Sequence, residues 1–141
     1  MAFLDEVEEV GSDLVGPEGV GRLTDIVAIS AEPSARGLHV MALRSDGTVW
    51  SWGVDDYGQL GNGKSEELDN LPSEVVGPDG MGHLEDVVSI SAGGGFSMAR
   101  LADGSIWAWG ENNSGQLGIG NHTGPDQCTT EQTHAVSCPC R

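Results

Sequence analysis

Hydrophobic and polar positions alternate in short runs along this chain, and such runs predict β-strands. Ile26 to Ala31 alternates and is rich in β-branched residues, and Val40 to Arg44 and Thr48 to Trp52 follow as two further runs. Asp46-Gly47 between the last two is a hairpin signal, because Gly tolerates the positive φ of a type I′ turn. After a loop rich in Gly, Asn and Asp, Leu71 to Val76 completes a predicted four-stranded antiparallel meander.

The first three runs of this pattern occur twice, whereas the tail breaks the pattern where the fourth run of the second copy is expected. Ser45 to Gly53 returns as Ala102 to Gly110, and upstream Leu23 to Ala31 returns as Leu84 to Ala92, after an extra Glu-Pro-Ser-Ala-Arg stretch in the first copy. A repeat of this length is typical of stacked supersecondary units such as propeller blades. The chain therefore divides into a lead-in with an expected outer strand of a preceding unit (1–14), a first unit (15–76), a second unit (77–120) and a tail (121–141).

Each copy carries a Trp-x-Trp pair in its third predicted strand. Residues two apart in a strand share a face, so Trp50 lies beside Trp52, and Trp107 beside Trp109. Each indole buries on the order of 150–250 Å² of surface when it is packed. We therefore expect all four indoles to be largely buried between neighbouring sheets.

These residues together resemble the regulator of chromosome condensation repeat family, over about residues 12–120. The first copy shares with its pattern Asp46, Gly47, Val49, Trp50, Trp52, Gly53, Gly58 to Gly61 and Gly63. The second copy shares Asp103, Gly104, Ile106, Trp107, Trp109, Gly110, Gly115 to Gly118 and Gly120. Phe96 departs from the pattern by replacing a His, and Arg100 by replacing an apolar residue. The resemblance implies an all-β fold of four-stranded antiparallel meanders that form the blades of a β-propeller.

Two units are too few for a closed propeller, which needs about four to eight blades. We expect an incomplete propeller: either a piece of a longer one, or a protomer of a homo-oligomer that closes a ring with its own copies. In the second case, the segment near Ser12 to Val15 would supply an outer strand to another chain. The isolated chain is not expected to be a stable, closed monomer.

The charge balance restricts the partners. The chain has 6 Lys and Arg against 22 Asp and Glu, a net charge of −16. Binding of a nucleic-acid backbone needs clustered Lys and Arg, so direct nucleic-acid binding is not expected. The acidity either keeps the protein soluble or attracts a basic protein partner. No membrane segment is expected, because no apolar run approaches about 20 residues. The first residues do not read as a signal peptide.

The last residues contain all the cysteines, Cys128, Cys138 and Cys140. Three interpretations are open: a loop closed by a disulfide from Cys128 to Cys138 or Cys140, free thiols in a disordered tail, or a zinc site with His122 and His134. A disulfide would favour an extracellular location, whereas the spacing matches no standard zinc pattern. The location of the protein is therefore left open.

The meander also predicts where a partner would bind. Successive connections alternate between the two ends of the strands, so the loops 32–38, 54–57, 93–95 and 111–114 converge on one end. Loops on a rigid scaffold are a frequent place of recognition. The predicted partner-binding residues are Arg36, His39, Asp55, Asp56, Tyr57, Phe96, Glu111, Asn112 and Asn113.

The sequence shows no catalytic constellation, and no cofactor or metal site is expected. His39 is interpreted as a hydrogen-bonded structural histidine, since the second copy has Phe96 at its position. The main hypothesis is a non-enzymatic scaffold that binds a protein partner through its loops. The alternatives are a regulator of guanine-nucleotide exchange, as the resemblance implies, and a secreted microbial enzyme or enzyme inhibitor on a propeller.

Overall fold

The computed structural model describes residues 13–33, 38–64, 66–77, 80–120 and 122. Within these described residues, a 3-10 turn at Pro17–Gly19 precedes seven strands, which form two antiparallel sheets. The first sheet has the order β1-β2-β3-β4, and the second has the order β5-β6-β7. The strands are β1 (Ile26–Glu32), β2 (His39–Arg44), β3 (Val49–Val54), β4 (Leu68–Glu74), β5 (Val87–Ala92), β6 (Phe96–Leu101) and β7 (Ile106–Gly110).

The all-β meander predicted from the alternating runs is confirmed, with one shift in the outer strand. β4 begins at Leu68 and ends at Glu74, rather than running from Leu71 to Val76. At its end the chain turns from β3 toward the second sheet. The Val75 amide still donates to the Val49 carbonyl at 2.9 Å, while the Val75 carbonyl accepts from the Leu84 amide at 2.9 Å and the Val76 amide donates to the Gly61 carbonyl at 2.8 Å. The fourth strand expected of the second copy, and the three cysteines, lie outside the described residues.

The hairpins at Asp46-Gly47 and Asp103-Gly104 are three-residue turns rather than the expected type I′ turns. The Gly47 amide donates to the Arg44 carbonyl at 3.0 Å, and Gly47 alone of its turn has a positive φ, +84°. This is a type I turn closed by a residue in the left-handed region. The Asp46 carboxylate accepts from the Thr48 amide and hydroxyl, which favours this turn over the two-residue form.

The core lies between the two sheets. We call the face of the first sheet with Met41, Leu43 and Val49, and the equivalent face of the second sheet, the trailing face. The opposite face of each sheet, which has the Trp-x-Trp pair, is its leading face. The trailing face of the first sheet packs on the leading face of the second. The residues of this core are Met41, Leu43 and Val49 from the first sheet, Val75 and Leu84 from the connection, and Val87, Ala99, Trp107 and Trp109 from the second sheet.

Trp50, Trp107 and Trp109 are buried, with exposures of 7%, 8% and 0%. Only Trp107 and Trp109 lie in the core between the two sheets as expected, because Trp50 is on the leading face of the first sheet. Trp52 is only half-buried, so that part of the expectation is wrong. Trp109 packs on the loop of the first sheet around Gly61. Trp52 holds the equivalent position on the leading face of the first sheet, where the described part of the chain has no preceding sheet to cover it.

We expect Trp109→Ala to lower the free energy of unfolding by about 3–5 kcal/mol, because it empties a large space in the inter-sheet core. Trp52→Ala is the matched control. It removes the same side chain from a half-buried position, so it should lower the free energy of unfolding by less than half as much. Urea unfolding followed by circular dichroism measures both losses. Equal losses for the two variants would contradict the assignment of the core to the junction of the sheets.

Candidate protein-interaction site

The loops at one end of both sheets meet in the structure. The Val54 amide donates to the Leu38 carbonyl at 2.9 Å, and the Glu111 amide donates to the Gly95 carbonyl at 2.8 Å. Across the two sheets, the Tyr57 ring lies 3.2 Å from the point where a Cβ on Gly95 would stand. The described residues 32–33, 38, 54–57, 93–95 and 111–114 thus share one end, which we call the loop rim. The hairpins lie at the opposite end.

Only some of the predicted partner-binding residues are accessible on the loop rim. Asp56 and Asn113 are exposed at equivalent positions of the two sheets, and Tyr57 and Phe96 are half-buried. Arg36 lies outside the described residues. The other four are in the interior, with exposures of 6% or less, so they are not available for direct contact as predicted. They are His39, Asp55, Glu111 and Asn112.

Two of the buried residues fix the shape of the rim loops. Asp55 Oδ1 accepts a hydrogen bond from the Leu60 amide at 2.8 Å, and Asn112 Oδ1 accepts one from the Leu117 amide at 3.1 Å. A buried backbone N–H needs such a partner. The short polar side chain at this position therefore holds the Gly-Gln-Leu-Gly turn of each copy in place and does not face a ligand.

His39 joins the two sheets. Its Nε2 lies 2.8 Å from Ser97 Oγ, and Ser97 Oγ in turn donates to the Gln59 carbonyl at 2.7 Å. Because the serine has one hydroxyl hydrogen, His39 Nε2 must be the donor in the first bond. The Trp109 Nε1–H also donates to the Gln59 carbonyl, at 2.9 Å. The expected structural role of His39 is thus visible as a bond between sheets.

Sequence reasoning missed the Gln59 carbonyl and Ser97. A backbone carbonyl leaves no signal in a sequence, and Ser97 stands where the first copy has Val40. The available signal was the Gly-Gln-Leu-Gly run, which recurs unchanged at a fixed distance after each Trp-x-Trp pair.

Beside the rim loop of the first sheet, Asp69 near the start of β4 is 7% exposed. Its carboxylate accepts three hydrogen bonds: from Lys64 Nζ at 2.8 Å, from Ser73 Oγ at 2.6 Å and from the Leu71 amide at 3.1 Å. Burial alone would raise the pKa of Asp69. The hydrogen bonds and the Lys64 charge together outweigh this effect of burial and hold the pKa of Asp69 below the ordinary 3.8.

Neither a metal site nor a membrane helix is seen in the part of the chain that the structure describes. No group of three or more His, Cys, Asp or Glu side chains is arranged there to hold a metal ion. None of the described segments forms a helix with the length and apolar character needed to cross a bilayer.

Two stacked antiparallel meanders, with four and three described strands and a Trp-x-Trp-Gly segment packed between them, define a β-propeller repeat protein. The pattern of the Regulator of chromosome condensation (RCC1) repeat matches residues 46–100 and 103–141, and a second pattern of the same repeat matches residues 87–116. The chain therefore belongs to the RCC1 repeat family. One match runs from the hairpin of the first sheet to β6 of the second, so the sequence repeat spans the junction of two sheets.

Relatives of several kinds share these repeats. The chain is 35% identical over 114 residues to the Protein RCC2 homolog of Xenopus laevis, covering 81% of this chain and 21% of that protein. The human Protein RCC2 is 33% identical over the same length, with the same coverage. The mouse E3 ubiquitin-protein ligase HERC2 is 34% identical over 110 residues, covering 78% of this chain and 2% of the ligase. The chain thus spans about a fifth of the length of its RCC2 relatives.

Solved structures agree on the fold. Prp20p from Saccharomyces cerevisiae, in a study of its binding to Gsp1p and histones, superposes with a TM-score of 0.56 at 27% identity, covering 82% of this chain and 23% of that chain. Yeast RCC1 (Prp20) bound to Kap60 gives a TM-score of 0.52 at 27% identity, and the match covers 73% of this chain and 20% of that chain. Human WBSCR16, at 20% identity and a TM-score of 0.53, supports the fold alone.

Gly61 tests the contact between the sheets. It has φ of +63°, and a Cβ there would stand 2.5 Å from Trp109 Nε1, whereas Gly118, at the equivalent position with φ of +70°, has nothing within 4 Å. Both alanine variants bear the cost of a left-handed residue, about 1–2 kcal/mol. We expect Gly61→Ala to destabilise by a further 1–3 kcal/mol or so, because it also displaces the indole. Chemical denaturation of both variants measures the difference, and an equal cost would contradict the packing.

The Asp69 cluster predicts a dependence of stability on pH. Because the folded-state pKa of Asp69 lies below 3.8, its contribution is complete above that pH and is lost as the pH falls toward the folded value. Asp69→Asn should therefore show a shallower loss of stability than the wild type at acid pH, in denaturant melts at a series of pH values. Lys64→Met removes one hydrogen-bond donor to Asp69, so its loss of stability at acid pH should be intermediate between those of Asp69→Asn and the wild type. Parallel curves for all three proteins would refute this account.

Proposed function

We propose that this chain is a non-enzymatic protein-interaction module whose loop rim binds a basic protein. The observation that carries the proposal is the convergence of equivalent loops from both sheets on one end. The Tyr57 ring of the first sheet lies against the Gly95 turn of the second there, and Asp56 and Asn113 are exposed at equivalent positions of the two sheets. Such a surface offers a partner one aromatic and two polar side chains.

The charge supports a basic partner. The net charge of −16 gives the protein a negative field that steers positively charged molecules toward it. Asp56 adds an exposed carboxylate beside Tyr57, and Tyr is one of the residue types enriched among those that dominate binding energy. Charges at the edge of such an interface act mainly on the rate of association and on its salt dependence.

The comparisons support the same class of partner. Prp20p, which shares the fold and 27% of the aligned residues, is described by its binding to Gsp1p and to histones. Histones are basic proteins, and on that ground we propose them as the first partners to test. The HERC2 ligase matches over only 2% of its own length, so its name describes a far larger protein and supports no enzymatic role for these two sheets.

Purified core histones are the probe, and their affinity for the chain is measured by fluorescence anisotropy at several salt concentrations. We expect Asp56→Lys to weaken binding about 10-fold at low salt, because it reverses an exposed charge on the loop rim. Tyr57→Ala should weaken binding at every salt concentration, since its contact is mainly apolar.

Glu85→Lys is the matched control. It makes the same change of charge at an exposed position beside Asp86, whose backbone packs on the hairpin turn at Gly47, at the end opposite the loop rim. Its effect should stay within about 3-fold. Equal effects of Asp56→Lys and Glu85→Lys would show that histones respond to overall charge and not to the rim, and absence of binding by the wild type would refute the proposal.

A further inference from the structure

Asn62-Gly63 is the one Asn-Gly pair of the sequence, and it lies in the connection from β3 to β4. An Asn side chain loses its amide most readily before Gly, because Gly has no side chain to shield the backbone nitrogen that attacks it. Gly63 is exposed to solvent, whereas Asn62 is 8% exposed. The second unit has Ile119-Gly120 at the equivalent positions, so it lacks this pair.

Both ends of the Asn62 side-chain amide are hydrogen-bonded. Its Oδ1 accepts from the Lys64 amide at 3.0 Å, and its Nδ2 donates to Asp69 Oδ2 at 3.4 Å. The first bond closes an Asx turn over residues 62–64, which we call the Asn62 turn. Because deamidation makes Cγ tetrahedral and expels Nδ2, it must break the bond to Asp69. The closed Asn62 turn therefore slows the reaction.

Asp69 holds the Asn62 turn closed from the start of β4. Two of the three donors to its carboxylate are also linked to each other, since Lys64 Nζ donates to Ser73 Oγ at 3.0 Å. These contacts are polar and lie near the surface, where the Lys64 side chain is 48% exposed. Segments held by few buried apolar contacts open locally, without unfolding of the whole protein. We therefore expect the Asn62 turn to open far more often than the core.

A change of backbone length at Asn62 would reach the junction of the sheets. The neighbouring Gly61 carbonyl accepts from the Val76 amide at 2.8 Å, and Gly61 packs against the Trp109 indole. On the other side, a Cβ on Gly63 would stand 3.2 Å from Val76 Cγ1. The chain on both sides of Asn62 is thus closely packed, with little space for an additional backbone atom.

We propose that Asn62-Gly63 is a deamidation site that reacts when the Asn62 turn opens, and that the product prevents the turn from closing again. The Gly63 nitrogen, after losing its proton to hydroxide, bonds to Asn62 Cγ, and Nδ2 leaves as ammonia with a proton from water. Water then opens the cyclic imide. Attack at Cγ gives aspartate, and attack at the backbone carbonyl gives isoaspartate, whose backbone is one carbon longer.

Neither product fits the closed turn. In aspartate, a carboxylate oxygen replaces Nδ2 opposite Asp69 Oδ2. Two negative charges would then meet where the residues are only 8% and 7% exposed, which is unfavourable. In isoaspartate, the additional carbon lengthens the backbone between Gly61 and Gly63. Deamidation therefore converts a transient opening into a permanent one and weakens the contact of Gly61 with Trp109.

Peptide mapping by mass spectrometry measures the rate of deamidation at Asn62 in the whole chain, incubated at mildly alkaline pH. We expect the folded chain to react about 10-fold more slowly than the chain in concentrated urea, because the turn is mostly closed. Below the unfolding transition, urea should change this rate only slightly, since local opening exposes little surface. Equal rates in folded and unfolded chains would overturn the proposal, as would a reaction that only follows global unfolding.

Asp69→Ala tests the contact that closes the turn. It should raise the rate at Asn62 about 5-fold, because it removes the acceptor of the Nδ2 bond. Asp46→Ala is the matched control: Asp46 also accepts from a backbone amide and a hydroxyl, those of Thr48, but in the hairpin. It should leave the rate within about 2-fold. Equal acceleration by both variants would refute the role of Asp69, and the urea series on the wild type decides the matter even where Asp69→Ala does not fold.

Asn62→Asp supplies one product directly, and Asn113→Asp makes the same change at an exposed position as its control. We expect Asn62→Asp to lower the urea midpoint of unfolding and Asn113→Asp to leave it unchanged. Adding Asp69→Asn to Asn62→Asp should restore most of the loss, because a donor again faces an acceptor. An unchanged midpoint for Asn62→Asp, or no recovery in the double variant, would show that the closed turn does not exclude the product in this way.

Discussion

The stacking of one sheet on the next depends on the Trp109 indole. It is fully buried, it packs where Gly61 has no side chain, and its N–H donates to the Gln59 carbonyl at 2.9 Å. The apolar ring supplies burial, and the hydrogen bond fixes the register of the second sheet on the loop of the first. Ser97 donates to the same carbonyl and links it to His39, so one backbone oxygen collects the polar contacts of the junction.

The loop rim follows from this junction. Because the turn that holds Gln59 is also the turn that follows Tyr57, docking the second sheet brings the Gly95 turn against the Tyr57 ring. The buried Asp55 and Asn112 hold the equivalent turns in shape through backbone amides. The loop rim is therefore held in shape by the junction of the sheets and by buried side chains, and its exposed residues do not contribute to that shape.

The two copies of the repeat differ at the positions that join the sheets. His39 with Ser97 is a polar pair between the two sheets, whereas Phe96 and Val40, at the equivalent positions of the other copy, are apolar and half-buried. Arg100 brings charge to a position that is core in the first sheet.

The sequence by itself determined the strands, their order in each meander, the repeat and its family, because alternation, turn residues and the Trp-x-Trp-Gly spacing are local signals. It also placed Asp56, Tyr57 and Asn113 on the loops of one end. Tertiary structure alone decided that His39, Asp55, Glu111 and Asn112 are interior, that Trp52 is half-buried while Trp109 is not, and that the hairpins take three residues. Burial depends on which sheet covers which face, and hydrogen bonds to a backbone carbonyl such as that of Gln59 leave no mark in the order of residues.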